Sequence, residues 1–319
     1  MDSASLKKKI EDYAKVGTAK NKSYIDFDEK EIKKVLKNRK PWEFDAASED
    51  TKKETADVKK QPINIPITTK KNEHTKIELL PVNVIGFDKL ISAPGLERGG
   101  IILLSGGAGS GKTIFCLESL YRSITTSNDK AIYISTEEDT TRLKKHMLNN
   151  FGWDFFELEE KGKIAFLQLD PIQVARQVEA AILKKKQKLE IDFQTLKMPF
   201  KPDRLVFDDV TSLGIAFENS ESYRKYLIYL FKMFSSYNSL NFVISETEQD
   251  PRVYSRTGIE EFMVDGVIVF YNIKINLKRQ NALEILKLRS SKHKKQLVPY
   301  KITDKGMEIY PNRPVVEEG

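Results

Sequence analysis

The chain has 319 residues, of which 40% are hydrophobic, so it is long enough to bury a sizeable core in one or two domains. Its 53 Lys and Arg residues against 46 Asp and Glu residues give a net charge of +7. Because the basic residues are interspersed among acidic ones, this charge does not predict a surface that binds polyanions. The single cysteine, Cys116, excludes an internal disulfide, and no apolar stretch approaches the roughly 18 residues that cross a bilayer. The N-terminus lacks the apolar core of a signal peptide, so we expect a cytoplasmic protein without membrane contact.

The first 78 residues are rich in Lys, Glu, Asp, Ser and Thr and do not predict an independent core. Two short amphipathic helices are expected near residues 4–15 and 28–38, and AASEDTKKETADVKKQP is typical of a solvated linker. The composition leaves two interpretations open, a docking arm that orders on a protein partner and a disordered tail. We divide the chain into this extension at 1–78, a folded domain at 79–312 and a tail at 313–319.

From residue 79 onward, short apolar runs alternate with helical ones, which predicts a mostly parallel sheet with helices on both faces. The predicted strands are IILLS, AIYIS, IAFLQL, RLVFD and NFVISE. Helical spacing between them forms two apolar stripes, Val174, Val178, Ala181 and Ile182, and Tyr223, Tyr226, Leu227, Leu230, Phe231 and Phe234. The later runs DGVIVFYNI, ALEILKL, LVPYKIT and GMEIYP predict antiparallel strands that extend one edge of the sheet.

Residues 106 to 113 read GGAGSGKT, between the strand IILLS and the helical run TIFCLESLYRS. This stretch matches G-x-x-x-x-G-K-[ST] in the strand and helix context that the motif requires. Glycines let backbone amides turn toward phosphate oxygens, Lys112 reaches the outer phosphates, and the Thr113 hydroxyl can bind Mg²⁺. The predicted nucleotide-binding residues are Gly106, Gly107, Ala108, Gly109, Ser110, Gly111, Lys112, Thr113 and Ile114.

Acidic residues follow two of the predicted strands, at the end where parallel sheets place ligand-facing groups. Asp208 ends RLVFD and is interpreted as coordinating Mg²⁺ through water, ahead of Asp209. A helix N-cap is the alternative, disfavoured because DVTSL does not look like a turn that needs capping. Glu137 and Glu138 follow AIYIST, and one of them is predicted to accept a proton from an attacking water. The alternative for this pair is that it caps the helix beginning near Thr140.

The segments IGFDKLISAPGLERGGIILLSGGAGSGKT, YISTEED, RLVFDDVTSL, NFVISE, EEFMVDGVIVF, ALEILKLRSSKH and GMEIYP occur in this order over roughly residues 82 to 310. In this order they resemble the KaiC-like branch of the RecA superfamily of ATPases. The resemblance implies an ATP site with Mg²⁺ at a subunit boundary and assembly into a ring, usually a hexamer. It also implies that Glu137 and Glu138 match the catalytic glutamate pair of the family.

The segment ILKLRSSKH has two interpretations. Its own pattern predicts an ordinary strand with Lys287 and Arg289 on a solvated side. The family resemblance implies instead that Lys287 and Arg289, with His293 close behind, reach the nucleotide of the neighbouring subunit. A cation there would stabilise charge that develops on the transferred phosphoryl group.

The sequence departs from the family pattern at Asp209, where Ser is common, and at Ser290, where Gly is common. The clock protein that names the family has two fused copies of this domain, whereas this sequence shows one. The role in circadian timing is therefore not expected to carry over. The loop with Arg252, Tyr254 and Arg256 is interpreted as a mobile loop, with nucleic-acid contact the less favoured alternative. The predicted function is a slow ATPase that acts as a switch. The alternatives are a DNA-handling recombinase or helicase of the same superfamily, and a nucleotide-sensing module with little turnover.

Overall fold

The computed structural model describes residues 77–183, 198–247, 255, 257–275, 278–313 and 315. The chain divides into two units, Met1–Thr69 and Lys70–Gly319, and all described residues belong to the second. The predicted helices near 4–15 and 28–38 and the loop residues Arg252, Tyr254 and Arg256 lie outside the described residues. No helix in the described ranges is both long and apolar enough to cross a membrane.

A nine-stranded sheet forms the centre of the described unit, in the order β11-β10-β9-β8-β3-β7-β6-β4-β5. Its neighbours from β8 to β5 are parallel, which is the arrangement expected when helices connect successive strands. The predicted α/β class, a mostly parallel sheet with helices on both faces, is confirmed. The five predicted strands are β3 (Ile101–Gly106), β4 (Ala131–Ser135), β5 (Ile164–Gln168), β6 (Arg204–Asp208) and β7 (Leu240–Glu246).

Strands β3, β4, β6 and β7 bring their carboxyl ends to one edge of the sheet. The register sets Gly106 opposite Glu246, and Ser135 opposite Asp208. Because the strands are parallel, every loop that leaves this edge starts from the same side of the sheet. The glycine-rich turn and both acidic segments of the sequence therefore emerge close together.

Helices cover both faces of the sheet and bury two apolar clusters against it. The six aromatic and leucine positions of the second predicted stripe are all at most 4% exposed, which confirms them as core. In the first stripe, Val174 and Val178 are buried, while the side chains of Ala181 and Ile182 lie outside the description. The helices are α1 (Lys112–Ser127), α2 (Thr140–Phe151), α3 (Phe155–Glu160), α4 (Pro171–Leu183), α5 (Val210–Ala216), α6 (Ser220–Ser236) and α7 (Glu260–Met263).

One strand prediction at the C-terminal side was wrong in direction. Strand β8 (Gly266–Ile275) is parallel to β3, and antiparallel pairing begins only between β8 and β9 (Lys278–Leu288). The reason is that the chain crosses back between β7 and β8, so that β8 starts at the same end of the sheet as β3. Strands β10 (Val298–Thr303) and β11 (Gly306–Ile309) then extend the sheet as an antiparallel hairpin. Strands β1 (Leu79–Leu80) and β2 (Leu96–Glu97) form a separate two-stranded sheet.

Candidate nucleotide-binding site

The glycine-rich turn joins the end of β3 to the start of α1 and leaves no room for side chains at two of its glycines. A Cβ on Gly106 would lie 2.3 Å from the carbonyl oxygen of Phe270, in β8. Gly111 has φ +84° and a Cβ there would lie 2.8 Å from Ile302 Cδ1. Both the left-handed backbone and the close neighbours therefore require glycine. The turn ends at Lys112, where the amino end of α1 supplies partial positive charge.

The Lys112 side chain is buried and bonds to the backbone of the turn. Its Nζ donates hydrogen bonds to the carbonyl oxygens of Gly106 at 2.8 Å and Gly107 at 3.0 Å. Burial lowers the pKa of Lys112, while the carboxylates of Glu246, Asp208 and Asp209 act to raise it. The ammonium is thus held at the loop by backbone oxygens and nearby negative charge, in position to bind an anionic group.

Thr113 and Asp208, the two predicted Mg²⁺ ligands, are in direct contact. The Thr113 hydroxyl donates to Asp208 Oδ2 at 2.9 Å, and the Tyr133 hydroxyl donates to the same oxygen at 2.5 Å. Burial raises the pKa of Asp208 to about 6, against the lowering effect of these two hydrogen bonds. A hydroxyl and a carboxylate oxygen beside a phosphate loop form the hard donor set that Mg²⁺ prefers. The residues therefore fit this ion.

The raised pKa of Asp208 predicts that its charge destabilises the nucleotide-free fold. The pKa of Asp208 is about 6 in the folded state, above the ordinary 3.8. The destabilisation is therefore absent below pH 3.8 and complete above about pH 6. Asp208→Asn should therefore stabilise the protein by about 3 kcal/mol above pH 7, at 1.36 kcal/mol per pKa unit. The gain should shrink as the pH falls through 6 toward 4.

Denaturant unfolding of both proteins between pH 5 and pH 8, without nucleotide or Mg²⁺, measures this difference. Asp304→Asn, at an exposed position, is the matched control and should show no such pH-dependent gain. A stability difference between Asp208→Asn and the unsubstituted chain that stays flat across this range would contradict the prediction.

The next residue, Asp209, caps a helix. Its Oδ1 accepts hydrogen bonds from the backbone nitrogen of Ser212 at 3.0 Å and from the Ser212 hydroxyl at 2.9 Å, at the start of α5. The expectation that no cap is needed after RLVFD was therefore wrong for Asp209. The helix is short and starts directly after the strand, so its first-turn amides need an acceptor at this position.

Glu137 and Glu138 lie in the segment between β4 and α2, and both are exposed. The alternative that they cap the helix was wrong, because Asp139 is the cap and accepts from the backbone nitrogen of Arg142 at 2.7 Å. Thr136 ties this segment to β6 through its backbone nitrogen, which donates to the Asp208 carbonyl oxygen at 2.7 Å. Partial desolvation, followed by the charges of Asp209 and Glu246, raises the pKa of Glu137, so its carboxyl group is a better proton acceptor than an ordinary glutamate.

Sequence reasoning missed three side chains at this site: Glu246, Tyr133 and Tyr300. Glu246 ends β7 opposite Gly106 and is the foremost charge acting on the Lys112 ammonium. A carboxylate at the end of NFVISE was a usable signal, since it repeats the position of Asp208 on its own strand. A tyrosine inside a strand looks like core, so nothing in the sequence marked Tyr133 or Tyr300.

Lys287 and Arg289 lie away from the phosphate loop of their own chain, and His293, further along, forms a bridge with Ile91. Lys287 lies opposite Val267 near the start of β8, whereas Gly106 lies opposite Phe270, three residues or about 10 Å along the strand. The Lys287 Nζ donates to the Val264 carbonyl oxygen at 2.7 Å, and Arg289 Nη1 lies 3.3 Å from Asp265 Oδ1.

The surroundings of these cations differ. Burial lowers the pKa of Lys287, and the nearby Arg289 lowers it further. The Arg289 side chain is 56% exposed, and His293 Nε2 is buried without a hydrogen-bond partner among the described residues.

The fold and the site together define a P-loop ATPase domain with a RecA-like core. The model of the KaiC ATPase family matches residues 80–314, and the chain belongs to this family. It is 30% identical over 240 residues to the circadian clock oscillator protein KaiC of Synechococcus elongatus, a match that covers 75% of this chain and 46% of the relative. The KaiC protein of Acaryochloris marina is 29% identical, with 76% of this chain and 46% of the relative covered.

A solved structure of similar fold is the KaiC-like protein of the archaeon Pyrococcus horikoshii. It is 28% identical, with a TM-score of 0.60, and the match covers 74% of this chain and 100% of that chain. This chain spans less than half the length of the curated relatives that it matches. The sequence resemblance to the KaiC-like branch is thereby confirmed.

Proposed function

We propose that this chain is a Mg²⁺-dependent ATP hydrolase that works in the cytoplasm as a slow switch. The observation that supports the proposal is the grouping of Lys112, the Thr113–Asp208 contact and Glu137 at one edge of the sheet. The ATPase domain is assigned to residues 79–312, with 1–78 as an arm for a protein partner and 313–319 as a tail. Release of phosphate from ATP by the purified chain tests the proposal, and absence of release with Mg²⁺ present would overturn it.

In the proposed mechanism the backbone amides of residues 106–111 and the amino end of α1 bind the phosphates, and Lys112 contacts the outer ones. Thr113 and Asp208 would hold Mg²⁺, which when bound neutralises charge on the phosphate oxygens. Asp208 must be ionised for this role, a state that its pKa of about 6 permits at neutral pH.

Glu137 orients the attacking water and accepts its proton. The raised pKa of the Glu137 carboxyl group supports this role. The side chains of Glu137 and Glu138 are both exposed on the loop that Thr136 ties to β6. They can therefore turn toward a terminal phosphate without disturbing the sheet.

We propose further that copies of the chain form a head-to-tail ring, usually a hexamer, in which Lys287, Arg289 and His293 complete the site of the next subunit. The support is the position of Lys287 near the end of β9, with Arg289 just after it, away from the phosphate loop of the same chain. Heterologous contacts of this kind close into rings when the rotation between copies permits it.

A mixing experiment tests the role of Arg289 across the subunit boundary. Arg289→Ala alone should lower ATP hydrolysis by at least about 100-fold, as loss of an arginine finger does. An equal mixture of Arg289→Ala and Lys112→Ala chains should recover roughly a quarter of the unsubstituted rate. Roughly that share of sites has Lys112 from one subunit and Arg289 from the next.

The control for this experiment is Arg142→Ala, at an exposed position on α2, which should leave hydrolysis unchanged. No recovery in the mixture, with both variants folded and exchanged into common rings, would show that Arg289 acts within its own subunit or not at all. Stimulation of hydrolysis by DNA with a steep salt dependence would instead favour the DNA-handling alternative.

A further inference from the structure

The C-terminal hairpin, strands β10 and β11, lies directly against the phosphate loop. Tyr300, in the middle of β10, donates its hydroxyl hydrogen to the carbonyl oxygen of Ser110. Its side chain is 2% exposed, and its backbone is paired with Ile309 on one side and Asn281 on the other. The Tyr300 hydroxyl therefore comes from a rigid position in the sheet. It holds the Ser110 carbonyl, which lies 190 residues earlier in the sequence.

The hairpin also lies against Gly111 and is joined to Gly106 through Phe270. The Tyr300 ring packs edge-on against Phe270 at 5.8 Å between centroids, and Phe270 is the strand partner of Gly106 at the start of the loop. Ile302 and Met307 lie so close to Gly111 that a Cβ there would come within 2.8 Å and 3.1 Å of their terminal carbons. One end of the loop thus contacts the hairpin directly at Gly111, and the other end is joined to it through Phe270.

Helix α1 is tied to the same hairpin beyond the loop. The Glu118 carboxylate accepts from the backbone nitrogen of Met307 at 2.6 Å and pairs with Arg122 at 2.8 Å. Arg122 Nη2 in turn donates to the carbonyl oxygen of Lys305 at 2.9 Å. Hydrogen bonds therefore join the hairpin to the helix that follows the phosphate loop.

The geometry of one peptide unit links the Tyr300 hydrogen bond to the phosphates. The Ser110 carbonyl and the Gly111 amide belong to the same planar trans peptide, in which C=O and N–H point to opposite sides. Tyr300 holds the carbonyl on the side of the hairpin, so the Gly111 N–H is directed away from the hairpin. Nucleotide binding at such loops depends on amides that already face the phosphates.

We propose that Tyr300 is a positioning residue that fixes the Ser110–Gly111 peptide with its amide toward the phosphates, and that the hairpin β10–β11 thereby sets nucleotide affinity. This inference rests on the proposed nucleotide site and adds to it a residue that acts through the loop. It does not involve the metal ligands or the glutamates. A positioning role of this kind predicts that loss of the hydroxyl changes nucleotide affinity and leaves the rate of the chemical step unchanged.

Tyr300→Phe removes the hydroxyl and keeps the buried ring, so it separates positioning from packing. The dissociation constants for ATP and ADP should rise about fivefold to tenfold, the effect of losing one hydrogen bond from a preorganised loop. The kcat at saturating ATP should stay within about twofold of the unsubstituted chain, because no group that touches the reacting atoms has changed. Calorimetry with the full chain gives the affinities, and phosphate release gives the rate.

The matched control is Tyr310→Phe, which removes a hydroxyl that donates to Glu308 at 3.1 Å, just beyond the same hairpin. It should change neither affinity nor rate. If Tyr300→Phe fails to fold, Ile302→Val removes the methyl group that abuts Gly111 and should raise the same dissociation constants by about twofold.

Unaltered affinity in Tyr300→Phe, or a fall in kcat alone, would overturn the positioning role, as would a lower melting temperature with unchanged affinity. These results differ from failure of the proposed function. If the unsubstituted chain binds no adenine nucleotide, both proposals fall. If it binds and Tyr300→Phe binds equally well, only the positioning role falls.

Discussion

Replacement of Lys112 by alanine is expected to lower ATP affinity and turnover by at least about 100-fold, the loss typical for removal of one charged donor from a phosphoryl-transfer site. In the folded chain Lys112 Nζ is the cation that bonds the carbonyl oxygens of both Gly106 and Gly107. Alanine removes this charge and leaves the carboxylates of Asp208 and Glu246 at the loop without it. Negative charge alone at the loop repels a triphosphate.

The measurements are calorimetric titration with Mg²⁺ and ATP, and phosphate release under the same conditions. Lys145→Ala, on the exposed side of α2, is the control with the same change of charge and should behave as the unsubstituted chain. Thermal unfolding of both variants separates loss of binding from loss of fold. Unchanged ATPase activity in Lys112→Ala would end the proposed function.

Glu137→Gln is expected to lower kcat by about 100-fold to 10,000-fold, the usual contribution of a general base, while ATP still binds. Glutamine keeps the size and hydrogen-bonding oxygen of the side chain and removes only its ability to take a proton. The affinity for ATP should hold or improve, because a carboxylate next to the phosphates has lost its charge. Partial desolvation and the charges of the neighbouring Asp209 and Glu246 raise the pKa of the carboxyl group that is lost.

Glu138→Gln is the matched comparison, because Glu138 is the adjacent residue on the same exposed segment. A smaller fall in kcat is expected there. Single-turnover kinetics distinguish a slowed chemical step from slow product release. If both variants retain the unsubstituted rate, the base lies elsewhere and the nucleotide-sensing module with little turnover becomes the better account of this chain.

The phosphate loop was predictable in detail because its chemistry is local. A glycine-rich turn between a strand and a helix carries its own amides, its own lysine and its own hydroxyl, all within residues 106–113. Asp208 was predictable for a related reason, since the end of an apolar strand in a parallel sheet marks the ligand-facing edge. The helical stripe of Tyr223 and its partners was equally visible as a period of 3.6 residues.

The predictions from sequence were wrong where a residue's role depends on where the following helix begins or on the direction of the following strand. Asp209 and Asp139 cap helices because each directly precedes the first helical residue, a position that depends on where the helix begins. Strand β8 pairs in parallel with β3 and so starts from the same end of the sheet. Periodicity indicates that a run is a strand but contains no information about that direction.

The sequence by itself determined the class of fold, the phosphate loop and the acidic strand ends, because each is encoded within a few neighbouring residues. Tertiary structure alone decided that Tyr133 reaches Asp208 and that Tyr300 reaches Ser110, contacts that join positions 75 and 190 residues apart. It also decided that Lys287 and Arg289 lie away from their own loop. Contacts of this range follow from strand order and register, which only the complete sheet fixes.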